Sequence, residues 1–412
     1  MQTIQFIHAA DLHLDSPFKG LQSLPPHLFQ TVKESTFSAF TNLVDLAIEK
    51  QVDFMLLAGD LYDGEMRSLK AQIRLRNEFM RLGEASIPVY VLHGNHDHTG
   101  GSWIDLSWPA HVHFFSDSEV ECKTFIKNGE VAAHIYGFSY PSRAVTANMA
   151  EMYQKQGDSS VYHIGMLHGS LEGNAEHDPY CPFTLTQLFE KDFNYWALGH
   201  IHKRQHWEKD GTVIAYSGNI QGRHRKEKGE KGCYLVELSE AGADHVFCPV
   251  SELLWEEAEV RVENAKTFDD LMRTCEQTAQ AYLGKSPRTF LSLILKGEGE
   301  VTGILNDSLL LDLQELLNEN AADEESFVYI TTVENQAFQP FSERDFIEKS
   351  PFLRDILYAA EEPDFAGSSL KDLQQHPLFR KFVGIFTQEE QKQLLAEAKT
   401  YLVSELAKED RG

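Results

Sequence analysis

The chain has 412 residues, of which 42% are hydrophobic and 24% charged, with a formal net charge of −26. The length exceeds one ordinary domain of about 100–200 residues, and the composition excludes disorder as the main organisation. The acidic balance argues against free DNA binding by this chain alone, and a phosphate substrate would need bound divalent metals or a basic partner to reconcile it.

The start, MQTIQFIHAADLH, enters a strand-like pattern without a basic n-region, an apolar h-region or a small-residue cleavage site. Short apolar runs then predict strands at Ile4–His8, Phe54–Leu57, Val89–Leu92, His163–Leu167 and Tyr195–Leu198, with helices at Phe37–Lys50 and Leu69–Leu82. Further strands at Val213–Tyr216, Cys233–Glu237 and His245–Val250, separated by turn residues, suggest a second sheet. From Glu256 the texture changes to a small β-α-β-α-β unit: a strand at Val260–Val262, a helix near Phe268–Leu283, a strand at Phe290–Leu295, a helix at Ser308–Asn318 and a strand at Phe327–Thr332. From roughly Pro340 the chain reads as helical and acidic, with Pro351 and Pro363 as breakers. Its last segment sets Leu394, Leu395, Ala398, Tyr401, Leu402 and Leu406 on one helical face, either packed on this protein or docked on a partner helix.

No stretch approaches the roughly 18–20 apolar residues of a membrane span, so a cytoplasmic protein without membrane contact is expected. Five cysteines, Cys122, Cys181, Cys233, Cys248 and Cys275, are scattered without a C-x-x-C pair. Buried reduced thiols are therefore expected, rather than disulfides or a thiolate zinc site.

Each of the first five strands ends at a polar motif: Asp11-Leu12-His13, Gly59-Asp60, Gly94-Asn95-His96-Asp97, His168-Gly169 and Gly199-His200-Ile201-His202. On an extended chain side chains alternate faces, so Asp11 and His13, like His200 and His202, are expected to point the same way. The glycines before Asp60, Asn95 and His200 suit sharp turns that bring a ligand inward. Asp11, His13, Asp60, Asn95, His168, His200 and His202 exceed the needs of one ion, whereas two cations about 3.5–4 Å apart sharing one carboxylate would use them all. Asp60, alone on its turn, is the natural bridge. Imidazole, carboxylate and amide donors without thiolate suit manganese first, with iron(II), zinc or magnesium as other divalent candidates. A lone histidine is more often structural; five such motifs behind five apolar runs favour a metal centre.

This ordered set, D-x-H, G-D, G-N-H-D, H-G and G-H-x-H over most of residues 1–220, resembles the calcineurin-type metallophosphoesterase signature. The opening IHAADLHLD, with GDLYDG and ALGHIHKR, looks most like the bacterial SbcD-type DNA repair exonucleases, and the whole chain resembles their YhaO-like branch. The resemblance implies an α/β (α+β) fold: a two-sheet sandwich flanked by helices over 1–255, a small α/β capping domain over 256–338 and a helical region over 339–412 that could dock a partner. It implies one metal held by Asp11, His13, Asp60 and His202 and another held by Asp60, Asn95, His168 and His200. His96 matches the family's catalytic histidine, serving the leaving 3′ oxygen or the charge on the transferring phosphoryl group. Asp63, three residues past the bridge, is then a partner that orients His96 and raises its pKa, and Asp97 a structural neighbour.

The implied activity is two-metal exonuclease or endonuclease cleavage of DNA phosphodiester bonds in repair. The implied partners are an SMC-like coiled-coil ATPase and a second copy of the chain, working at the nucleoid. Metallophosphatases and phosphodiesterases for small molecules or phosphoproteins share the scaffold, and a non-catalytic recruitment subunit is a third option. The extra domain and tail favour the nuclease, and no ligand position is degraded. The one dense basic cluster, Arg223, Arg225, Lys226, Lys228 and Lys231, is read as a solvated loop with phosphate-backbone contact as its competitor. Trp103 and Trp108 are read as packing residues, with base stacking the alternative.

Overall fold

The computed structural model describes residues 1–18, 21, 24–64, 68–101, 104, 106–157, 160–173, 180–283, 288–319, 326–339, 351–360, 365–376, 379–380, 384 and 386–409. The chain forms two compact units, one of Met1–Glu256 with Ser286–Phe290 and Asp323–Phe327, the other of Glu257–Lys285, Leu291–Ala322 and Val328–Gly412.

The first unit runs β1 (Ile4–Ala9), α1 (Pro26–Lys50), β2 (Phe54–Ala58), α2 (Leu69–Glu84), β3 (Val89–Leu92), β4 (Val112–Phe114), β5 (Glu121–Lys127), β6 (Glu130–Gly137), β7 (Tyr162–His168), α3 (Leu185–Glu190), β8 (Tyr195–Gly199), β9 (Gln205–Lys209), β10 (Thr212–Tyr216), β11 (Gly232–Ser239) and β12 (Gly242–Pro249). One sheet has the order β12-β11-β1-β2-β3-β4 and the other β5-β6-β7-β8-β10-β9. Alternate residues explain the layering. Ile4, Phe6, Phe54 and Leu56 meet Ile164, Tyr195, Ala197 and Val213 between the sheets, with Phe6 stacked on Phe54 at 4.9 Å and edge-on to Tyr195 at 5.4 Å. The opposite faces bury Ile7, Met55 and Leu57 against Phe40 and Leu43 of α1 and Leu75 and Phe79 of α2, and Trp196, Leu198 and Ile214 against Leu188 of α3. Strands buried on both faces read as unbroken apolar runs, which is why these were visible in the sequence.

The expected grouping of the later strands needs correction. Val213–Tyr216 does lie in the second sheet beside β8, but β11 and β12 return to the first, where β11 pairs antiparallel with β1 from Ile4↔Leu238 to His8↔Tyr234. Periodicity records which face a side chain takes, not which strand it pairs with. Helix α1 also starts eleven residues before the expected Phe37, because its first turns bury only Leu28, Val32, Ser35 and Thr36, a stripe half made of hydroxyls. Cys181 and Cys233 are buried, whereas Cys122 and Cys248 are only half-buried, and all the cysteines are free. Trp108 packs on Phe79 and Phe114 at 5.8 and 5.3 Å, as a packing residue; Trp103 lies outside the described residues.

The second unit carries α4 (Phe268–Leu283) and α5 (Asp307–Asn318) on a three-stranded sheet of order β13 (Leu254–Arg261), β14 (Arg288–Lys296), β15 (Phe327–Asn335). Its core joins Val260, Leu271, Cys275, Leu293, Leu313 and Ile330. Among the described residues three helices follow: α6 (Pro351–Ala360), α7 (Phe365–Gln375) and α8 (Gln388–Glu409). Along α8 Leu395 is half-buried, while Leu394 and Tyr401 are 37% and 67% exposed, so self-packing does not cover the stripe at those positions. The side chains of Leu402 and Leu406 lie outside the described residues. Among the described residues no helix is long and apolar enough to cross a membrane.

Candidate metal centre

Parallel pairing of β1 with β2 and β2 with β3, and of β7 with β8, brings their carboxyl ends together, the edge at which ligands gather in layered sheets. The loops after β1 and β2 then run side by side: Asp11 N donates to Gly59 O, His13 N to Asp60 O and Leu14 N to Leu61 O, each at 3.0 Å. This overturns the extended reading of Asp11 and His13. Both adopt the left-handed region, at φ 53° and 44°, as do Asp60 at 53° and His200 at 94°. Such strain at non-glycine residues persists only where the surroundings over-determine it, here through those backbone bonds and, at His200, through its N–H donated to Asp11 Oδ1 at 3.0 Å. Gly94 is required for close approach rather than for its own φ. A Cβ there would press on Asp60 Oδ1 and stand 2.7 Å from His168 Nε2.

All seven expected ligands converge. Asp11, His13 and His202 offer donor atoms within 4.8 Å of one another, and so do Asp11, Asp60 and His168. His13 Nε2 lies 3.0 Å from His202 Nε2, and Asp60 Oδ2 lies 3.8 Å from His13 Nε2 and 3.5 Å from His168 Nε2. Asn95 Oδ1 joins the second group, at 3.0 Å from His168 Nε2 and 3.1 Å from His200 Nδ1.

The protonation pattern tests whether cations fit. His168 Nδ1 donates to the Ala58 carbonyl at 2.9 Å, so the Nε2 of a neutral ring turns its lone pair to the centre, 3.0 Å from Asn95 Oδ1. His202 Nδ1 donates to Glu227 Oε1 at 2.6 Å, so its Nε2 lone pair also faces the centre. Burial first, then the charge of Arg223, holds His13 neutral, well below the usual imidazole range. Burial also lowers His202, against the pull of Glu227. Asp11 is pushed well above the usual carboxylate range, by burial and then by the neighbouring Asp60. His13 and His202 held neutral by burial, beside two carboxylates that repel each other, form a donor set suited to divalent cations.

A second ring of residues holds the donors. Glu227, buried, accepts from His202 Nδ1, from Asn219 Nδ2 at 2.9 Å and from Arg223 N at 2.7 Å; burial pushes its pKa up, and His202 and then Arg223 more than offset this and hold it well below the usual carboxylate range. The sequence reading missed it, because neither glutamate of RHRKEKGEK, Glu227 or Glu230, carries a periodic signal. Asp97 accepts from Leu61 N at 3.0 Å and Gly94 N at 2.7 Å, tying two ligand loops together, the structural place expected of it. His96 is half-buried at the rim, its backbone N–H donating to Asp60 Oδ1 at 3.0 Å and its ring edge-to-face with His13 at 5.0 Å. Asp63 is shared more widely than expected. It stands within 4.8 Å of His96, but its closer partners are Arg223, Ser16 Oγ at 3.1 Å and His13 Nδ1 at 3.0 Å, the last without a hydrogen bond's alignment. The basic cluster divides: Arg223 turns inward to Asp63, Lys231 is half-buried, and Arg225, Lys226 and Lys228 are exposed.

The calcineurin-like phosphoesterase family model matches residues 4–204. The chain is 41% identical over 404 residues to the Bacillus subtilis metallophosphoesterase YhaO, covering 98% of each chain. It is 28% identical over 255 residues to the DNA double-strand break repair protein Mre11 of Sulfurisphaera tokodaii, covering 58% of this chain and 61% of that one. With the protein of the same name from Saccharolobus solfataricus it is 24% identical over 317 residues, covering 74% and 79%.

Proposed function

Because the chain belongs to the calcineurin-like phosphoesterase family, and is therefore a metal-dependent hydrolase of phosphate esters, we propose that it cleaves DNA phosphodiester bonds in repair, as an exonuclease or endonuclease using two divalent cations. The observation that carries this reading is the meeting of Asp11, His13, Asp60, Asn95, His168, His200 and His202, with inward lone pairs on His168 and His202 and His96 at the rim. The relatives named as DNA double-strand break repair proteins support DNA over a small phosphate ester. The oxygen share of the donors supports manganese.

Two cations held this way would supply Lewis acidity toward the phosphoryl oxygens and lower the pKa of water to about 7. The chain's own residues bind and orient. Asp60 Oδ2 lies between the two groups of donors, 3.8 Å from His13 Nε2 and 3.5 Å from His168 Nε2, while Ala58 O and Glu227 fix the ring tautomers of His168 and His202. His96 offers its ring to the leaving 3′ oxygen as a proton donor, its backbone anchored to Asp60. Asp63, paired with Arg223, stands beside both His13 and His96, where it would orient the His96 ring. Residues 1–255 form the nuclease domain on this reading, 256–338 a cap, and 339–412 a docking region for an SMC-like coiled-coil ATPase. The motifs IHAADLHLD, GDLYDG and ALGHIHKR support that partner, a second copy of the chain as dimer mate, and the nucleoid as the place of action.

The test is a manganese-loaded preparation assayed on duplex DNA beside p-nitrophenyl phosphate and bis-p-nitrophenyl phosphate. Degradation of DNA together with turnover of the diester is expected. Turnover of the monoester with the DNA left intact would overturn the nuclease assignment.

A further inference from the structure

Between the two sheets of the first unit the inward side chains are apolar, with Val213 and Ala215 of β10 and Val236 of β11 among them. The edge strands depart from this. In β9 His206 stands opposite Ala215 and Glu208 opposite Val213, and in β12 His245 stands opposite Val236. Directly paired residues of antiparallel strands share a face, so all three side chains turn toward the seam between the sheets, two from one edge and one from the other. Their donor atoms lie within 4.8 Å of one another. His245 Nδ1 is 3.8 Å from Glu208 Oε1, and the two imidazole rings meet edge-to-face at 4.7 Å. The His245 side chain is only 10% exposed and rests edge-on against Tyr234 at 5.0 Å. Two residues along β12, the Arg204 guanidinium covers the Phe247 ring at 3.5 Å, closing the seam beside the trio.

We propose that His206, Glu208 and His245 bind one zinc-class divalent cation that clips the open edges of the two sheets together. Two imidazoles and one carboxylate, without thiolate, form a donor set that zinc accepts, leaving one coordination position for water. The His-x-Glu spacing on β9 supplies two donors on one side of a strand, and His245 arrives from the other sheet, so binding requires the folded sandwich. The cation would stabilise the folded state by mass action, since the unfolded chain does not assemble the trio. None of the three belongs to the centre around Asp60.

The test uses the full chain and zinc alone. Wild type, His206→Ala and Glu208→Gln are dialysed against micromolar zinc and the metal counted per chain, each also in an Asp60→Ala background that removes the carboxylate lying between the donor groups of the other centre. Each trio substitution is expected to lose one tightly bound equivalent from its parent in both backgrounds. Turnover of bis-p-nitrophenyl phosphate by His206→Ala is expected to equal that of the wild type, and the zinc-dependent rise in Tm of Asp60→Ala is expected to vanish when His206→Ala is added. Equal zinc counts with and without His206→Ala would overturn the proposal, as would an equivalent that fills only at millimolar zinc. His206 is exposed on an edge strand, so its removal leaves folding intact even where a change at His245 would not. Failure of the nuclease reading leaves this count unaffected, because no DNA enters it.

Discussion

His96 is the one histidine of its motif that touches the donors without being spent on them: its backbone binds Asp60 Oδ1 while its ring stays at the rim. His96→Ala is therefore expected to lower diester turnover by about 10²- to 10⁴-fold, the usual worth of a general acid, with manganese content per chain unchanged. Glu227 acts one step back, through the 2.6 Å bond that fixes His202. Glu227→Gln keeps the shape and removes the charge, and an affinity loss of about 10- to 100-fold is expected in a manganese titration followed by metal analysis. A third residue-scale prediction concerns acid. Burial holds His8 down to about 3, against its bond to the Leu198 carbonyl, and it also meets Tyr195 Oη at 2.9 Å. The unfolded chain takes up this proton below about pH 6.5 while the folded chain refuses it, so stability is full at neutral pH and falls through that window by about 1.4 kcal/mol per pH unit. Urea unfolding of chelator-treated protein is expected to show a steeper loss of stability on acidification in wild type than in His8→Gln. The donors themselves were legible as residues, because Asp, His and Asn behind apolar runs declare their chemistry one at a time. Glu227 was not, because its role exists only through a partner 25 positions away.

At the scale of elements, the centre depends on how closely the strand ends approach. Gly94 admits the Asp60 carboxylate and the His168 ring where any Cβ would stand. Gly94→Ala is expected to leave the far-UV circular dichroism of the sandwich unchanged while removing bound manganese, measured by metal analysis of the dialysed protein. Strands buried on both faces, such as β2 with Phe54, Met55, Leu56 and Leu57 all buried, announced themselves as apolar runs. β9 did not: its burial alternates weakly and its register comes from β10. The left-handed conformations of Asp11 and His13 were equally hidden, since they follow from bonds to Gly59 and Asp60 in another loop rather than from local preference.

For the molecule as a whole, the charge of −26 sets the terms on which a polyanion approaches. Arg225, Lys226 and Lys228 are exposed on the loop that also carries Arg223 and Glu227 into the centre. If that loop meets the DNA backbone, replacing the three by Gln lowers the slope of log binding constant against log salt by up to about 0.9 for each phosphate the loop no longer neutralises, read from anisotropy titrations at several salt concentrations. An unchanged slope would return the loop to solvent.

The sequence by itself determined the donor chemistry, the points in the chain where strands give way to it, and the two-sheet α/β class. Only the tertiary structure decided that β11 and β12 rejoin the first sheet, that Arg223 and Glu227 reach the centre, and that His206, Glu208 and His245 share a seam. The physical reason lies in range. A side chain's donor atoms and a strand's two-residue alternation are local properties, whereas contacts such as His13 with His202, 189 positions apart, exist only after pairing and packing have chosen among many registers with the same local pattern.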